Sequence, residues 1–220
     1  MSRCYVYALT AGAAPRVRAG GRTIETVRAG DLYAAVTRMD AMPHLSEETL
    51  AEQHAIVARL FSRVDAILPM RFGALVESEE LERFVVQHHA ALAAALDLVR
   101  GREQMTVCVF GPPVPARTAG PLRTVSGAEY LRSRREAARP VPLPAAAARL
   151  RRAVRPLVAA ERTLSAEGRV RATVWHLIER GMSGSYRAAI AHAAPAVPPP
   201  FRVAVSGPWP PFAFAPELLP

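Results

Sequence analysis

The chain contains no lysine: all 28 basic residues are arginine, set against 19 carboxylates for a net charge of +9. That excess would ordinarily point to nucleic acid or an acidic surface as partner. An all-arginine chain also rich in Ala, Pro and Val reflects a GC-rich coding sequence as readily, so charge alone selects no ligand. Cysteine is scarce too. Cys4 and Cys108 lie far apart, each inside a strand-like run, which excludes a disulfide framework and CxxC or thiolate-metal spacing. Both read as buried thiols. Half the residues are apolar, yet no uninterrupted run reaches the roughly 18–20 needed to span a bilayer. Met1-Ser2-Arg3 leads directly into a strand without the apolar core of a secretion signal. The expected location is therefore the cytoplasm, with no membrane partner.

Catalytic signatures are missing as well. There is no Walker loop, no GxGxxG after a strand and no GxSxG elbow. His88 and His89 are adjacent on a predicted helix, so their side chains diverge by about 100° and cannot comfortably share a metal. The carboxylate pairs Glu47-Glu48 and Glu79-Glu80 are accounted for by helix starts. No catalytic, cofactor-binding or metal-binding residue is expected, and none of these features demands an enzyme.

What is present is a regular succession of strand and helix signals. Cys4 to Leu9 is β-branched and aromatic and reads as a buried strand. Thr23 to Val27 and Leu32 to Thr37 flank Gly30-Asp31 as a hairpin. Ser46-Glu47-Glu48 caps a helix whose apolar stripe is Leu50, Ile56, Val57, Leu60, Phe61 and Val64. The segment Leu68-Pro69-Met70-Arg71-Phe72-Gly73 follows; Pro69 cannot donate to a ladder, which predicts an edge strand or one that starts late. Ser78-Glu79-Glu80 is expected to cap a second helix, with a stripe through Leu81, Phe84, Val85, His88, Leu92, Leu96 and Val99, ending at Gly101. Met105, Val107 and Val109 then alternate along a strand. Beyond Gly111-Pro112-Pro113, Ser126-Gly127-Ala128-Glu129 has capping-box spacing. An Ala- and Arg-rich helix is expected from Ala145 toward Leu164, bent or broken at Pro156. Val170 to Ile178 reads as a strand, the residues around Tyr186 and Ile190 as a short helix, and Phe201 to Val205 as a last strand.

This order predicts an α+β protein of two lobes, each a ferredoxin-like variant with an antiparallel sheet and helices packed on one face. The expected division is an N-terminal domain over 1–111, a Pro-rich junction over 112–123, and a C-terminal domain over 124–220.

Two segments are more specific than their composition: Leu68-Pro69-Met70-Arg71-Phe72-Gly73 and the closing Ser206-Gly207-Pro208-Trp209-Pro210-Pro211-Phe212-Ala213-Phe214. In this order and at this distance they resemble the LPVRFG-like strand and GPWPPYSF tail of the gas vesicle synthesis family GvpF/GvpL. Tyr5-Val6-Tyr7 and Ser126-Gly127-Ala128-Glu129-Tyr130-Leu131 add to the likeness, which extends over nearly the whole chain. The tail departs from the family pattern in having Phe212 and Ala213 where Tyr and Ser are usual. Trp175-His176-Leu177-Ile178 stands where an AYLV-like run is usual, and the segment from Ala137 to Glu167 is unlike the family. The resemblance implies an accessory or minor structural protein of gas vesicles. Such a protein would bind the hydrophobic shell protein and other accessory proteins, in association with the vesicle and without cofactor or catalysis. The motif residues are structural or partner-binding on this view: Pro69, Arg71, Phe72, Gly73, Gly207, Pro208, Trp209, Pro210, Pro211 and Phe212.

Individual residues leave two readings each. Arg71 either pairs with Glu77 or Glu80 or is presented to a partner. The tail either docks Trp209, Phe212 and Phe214 on the protein's own core or offers a polyproline ligand. Two other functions also fit the sequence: an Arg-rich module for nucleic acid or an acidic partner, and a ferredoxin-like small-molecule enzyme.

Overall fold

Cys4 to Leu9 contains no Gly, Pro or charge, and it becomes an interior strand of the first sheet. In the computed structural model, which describes residues 3–19, 21–112, 145–165 and 170–216, β1 (Arg3–Thr10) is buried at every position after Arg3. On one side it pairs antiparallel with β4 (Leu32–Arg38). On the other it carries two short strands end to end, β5 (Ile67–Pro69) beside Ala8–Thr10 and β6 (Leu75–Glu77) beside Arg3–Tyr5. β3 (Arg22–Ala29) forms the expected hairpin with β4, and β2 (Val17–Ala19) adds to its outer side. Pro69 thus lies in an edge strand, as its missing N–H requires.

Two helices pack on this sheet. α1 (Glu47–Phe61) starts at Ser46, whose hydroxyl accepts from the Thr49 N–H while Thr49 returns a bond to the cap backbone. Ile56, Val57 and Leu60 of α1 meet Tyr5, Tyr7, Ile24, Ala35 and Ile67 in one apolar cluster. α2 (Ser78–Val99) buries Leu81, Val85, Leu92, Leu96 and Val99 of the predicted stripe. Its cap differs from expectation: Glu77 is the capping residue, without a side-chain bond, and Ser78 is already helical. The backbone of β6 leads straight into the helix, which leaves Ser78 no extended conformation from which to cap.

β7 (Arg102–Phe110) belongs to the second sheet, ordered β10-β7-β9-β8. Here the expected long helix is corrected. α3 (Ala145–Val154) ends ahead of a single 3-10 turn, Arg155–Leu157, and the chain then becomes strand β8 (Val158–Ser165). Pro156 removes a helical donor, and Val158 to Ser165 find ladder partners on β9 (Val170–Glu179), from Ile178 to Ala172. Tertiary pairing overrides the helix propensity of Ala and Arg. α4 (Ser183–Ala193) and β10 (Arg202–Trp209) complete this part. Its core joins Met105, Val107, Leu150, Val154, Val174, Ile178, Tyr186 and Ile190. The helix expected to start at Ser126 lies outside the described residues.

The protein is α+β, with two antiparallel sheets and, among the described residues, two helices to each sheet. By packing it divides into two compact units, Met1–Glu103 with Trp209–Pro220, and Gln104–Pro208.

Candidate partner-binding surface

The Pro69–Gly73 segment is held by one polar hub. The Tyr5 hydroxyl donates to Gln53 Oε1 at 2.5 Å and accepts from the Gly73 N–H at 3.0 Å, and Gln53 Nε2 donates to the Met70 carbonyl at 3.0 Å. Tyr5, Gln53 and Met70 are buried, so these bonds replace water at their polar atoms. Burial raises the Tyr5 hydroxyl pKa, against the opposing Gly73 N–H and the Arg22 charge, and the phenol stays protonated. Met70 N–H reaches the Tyr7 carbonyl and Val6 N–H the Ala74 carbonyl, so the edge leaves β1 only between these two bonds. Gly73 makes the return turn with φ +101°, a conformation that favours glycine, and Met42 packs beside its Cα.

The hub displays what it holds. Arg71 is exposed, and among the described residues neither Glu77, Glu80 nor any other carboxylate pairs with it. The expected internal ion pair is absent because Arg71 stands in the excursion between β5 and β6, facing solvent. Phe72 is half-buried, its ring edge-on to Tyr5 at 6.2 Å. Met42, beside Gly73, is 53% exposed, and at the start of α1 Leu45 is 63% and Leu50 38% exposed. Leu45 and Leu50 occupy the two positions of a hydrophobic staple about the Ser46 cap, yet this leaves most of Leu45 uncovered. A shallow recess of about 230 Å³, counted with its open mouth, opens among Tyr5, Tyr7, Pro43, Thr49 and Phe72, with the Arg22–Glu52 pair at 3.3 Å also in its lining. Burial there pushes the Tyr7 hydroxyl up to about 12, with Arg22 pulling the other way.

From Trp209 onward the tail motif belongs to the same unit. Pro210 and Pro211 are buried and Phe214 is 2% exposed, within a 3-10 turn, Phe212–Phe214, that packs on β5. Phe212 stacks on His54 of α1 at 4.8 Å. The two motifs, more than a hundred residues apart in sequence, therefore meet at β5. Trp209 does not follow its neighbours inward: it remains 43% exposed. Gly207 has φ +115°, and a Cβ there would lie 2.7 Å from the Gln104 carbonyl oxygen, so only glycine fits. Pro208 is exposed at the end of β10.

The second unit contains a polar chain that the sequence did not announce. Arg151 Nε donates to Glu161 Oε2 at 2.9 Å, His176 Nε2 lies 3.0 Å from the same oxygen, and His176 Nδ1 lies 2.5 Å from the Tyr186 hydroxyl. A carboxylate only accepts, so Nε2 carries the proton and Nδ1 accepts from Tyr186. Burial lowers the pKa of His176, with Glu161 opposing, and raises that of Tyr186. One signal could have found it: a histidine on an inward position of a strand, which requires a buried partner. The chain adjoins a cavity of about 310 Å³, counted with its open mouth, lined by Val107, Val109, Leu150, Val174 and Ile190. Its accessible interior holds little more than a water molecule. Arg151, Glu161, His176 and Tyr186 come from α3, β8, β9 and α4, and the chain ties these four elements together.

Among the described residues, no three His, Cys, Asp or Glu side chains converge on a metal position, and no helix is long and apolar enough to cross a membrane. The model of the family "Gas vesicle synthesis protein GvpL/GvpF" matches residues 3–216. Two solved structures are similar throughout. The gas vesicle protein GvpF from Anabaena sp. PCC7120 shares a TM-score of 0.73 at 12% identity, over 98% of this chain and 99% of that one. GvpF from Microcystis aeruginosa shares a TM-score of 0.74 at 12% identity, over 98% and 100%. No curated protein sequence matches.

Proposed function

We propose that this chain, which belongs to the gas vesicle synthesis protein GvpL/GvpF family, is a non-enzymatic accessory protein that binds the hydrophobic shell protein during vesicle assembly. A wall that excludes water must be built from subunits with large apolar surfaces, which aggregate unless covered beforehand. A soluble companion with a matching apolar surface would hold such a subunit until it is placed. The observation that carries this reading is the set of exposed apolar side chains Met42, Leu45 and Leu50, together with the half-buried Phe72 and the unpaired Arg71 on a loop fixed by Tyr5 and Gln53.

The neighbouring sheet edge contributes less. β5 and β6 are three residues each, and Pro69 lacks a donor. Short, broken edges resist strand addition. An amphipathic segment lying across the apolar group, with a carboxylate toward Arg71, suits the surface better. Other accessory proteins of the same assembly are the further partners on this reading. Its place of action is the cytoplasm, at the vesicle.

Pull-down of co-expressed shell protein tests the reading. The combined variant Arg71→Glu, Met42→Asp, Leu45→Asp alters only exposed side chains and should reduce capture about tenfold or more, since central contact residues carry most binding energy. Capture that is absent in the wild type, or undiminished in the variant, contradicts it.

A further inference from the structure

Arg149, Arg152 and Arg155 follow one another at three-residue spacing along α3 and the 3-10 turn that ends it. All three are exposed, while Leu150 and Val154 turn into the core. Residues three apart on a helix have Cβ atoms about 5–6 Å from one another, so the three side chains form a short row that turns about 120° around the outward face over its length. Among the described residues the charge is uncompensated: α3 contains no acidic residue, and the nearby Glu161 is engaged by Arg151 and His176. No ion pair among the described residues involves Arg149, Arg152 or Arg155. The helix dipole favours cations in its last turn, which accounts for a residue such as Arg152. It does not account for a row reaching back to Arg149 and on past the helix to Arg155.

From this row we infer that the outer face of α3 is a docking surface for an acidic, helical segment of a partner protein. Charge complementarity selects the class. Glutamates three or four residues apart on a helix are about 5–6 Å from one another, close to the steps of the row, and arginine pairs with carboxylates in a planar, two-pronged geometry. Single-stranded nucleic acid is less suited, because its general binders interleave aromatic platforms with the basic groups. α3 and its terminal turn, Ala145–Leu157, contain no aromatic residue. The apolar surface around Phe72 is not involved, so this inference stands apart from shell-protein binding.

The test uses the full-length protein and fluorescence anisotropy. One probe is a capped helical peptide of repeated Glu-Ala-Ala-Ala units; the other is a single-stranded oligonucleotide of equal net charge. Two triple variants are compared, Arg149→Glu/Arg152→Glu/Arg155→Glu and the control Arg38→Glu/Arg63→Glu/Arg83→Glu, each checked for an unchanged thermal midpoint. The expected result is peptide binding at low salt that weakens about tenfold or more in the first variant and less than about threefold in the control. Absence of peptide binding overturns the inference. So does an equal loss in both variants, or an oligonucleotide bound more tightly than the peptide through the same three arginines.

Discussion

Glycine at 207 and histidine at 176 show how single residues are fixed by their surroundings. A Cβ at Gly207 meets the Gln104 carbonyl, and its φ of +115° disfavours any side chain. Gly207→Ala should therefore lower unfolding free energy by about 2–4 kcal/mol, combining backbone strain with overpacking, as read by denaturant titration. His176 is held neutral mainly by burial, so its folded pKa lies below its unfolded value of 6.5. The unfolded chain then binds a proton that the folded one refuses. Stability from this group is complete above about pH 6.5 and declines as pH falls below that, toward the lower folded pKa. Thermal midpoints between pH 8 and pH 5 should show this decline, and His176→Gln should flatten it. The residues around Tyr5 could not be read from sequence: Gln53 and Gly73 lie 48 and 68 positions away, and nothing local joins them. Arg71 was legible as a choice, and its exposure resolves the choice against an internal pair.

Elements with strong local signals were readable, and those depending on distant partners were not. Ser46 caps α1 through a bond to Thr49, so Ser46→Ala should cost about 1 kcal/mol, measurable by chemical denaturation. The same pattern at Ser78 misled, because β6 sets the backbone that enters α2. β2 and β6 are three residues each, too short for a period of two to register. β8 was hidden for another reason. Its sequence, Val-Ala-Ala-Glu-Arg-Thr-Leu-Ser, continues the composition of α3, and only pairing with β9 makes it a strand. The long apolar runs of β1 and β9 and the stripes of α1 and α2 needed no such help. Pro69 gave its edge position through the chemistry of its missing N–H.

At the scale of the molecule, the sequence pattern led to an α+β protein with two sheets, and the family follows from a match over residues 3–216. The tail could not be placed from its own residues. Pro210, Pro211 and Phe214 bury themselves on the first unit, close to the other motif, while Trp209 stays half open. Burying Phe214 alone is worth about 2–3 kcal/mol, enough to fix the end of the tail on that unit. The proposed function asks the remaining exposed surface to do something the protein's own stability does not require. Met42, Leu45 and Arg71 gain little from the fold, so replacing them should leave unfolding free energy within about 0.5 kcal/mol of the original.

The most direct measurement is the dissociation constant of the purified protein for the shell protein, with and without the Arg71→Glu, Met42→Asp, Leu45→Asp combination. The account predicts measurable binding by the unaltered protein and a loss of about tenfold or more in the variant at unchanged stability. Equal affinity in the two proteins, or no affinity in either, would contradict it.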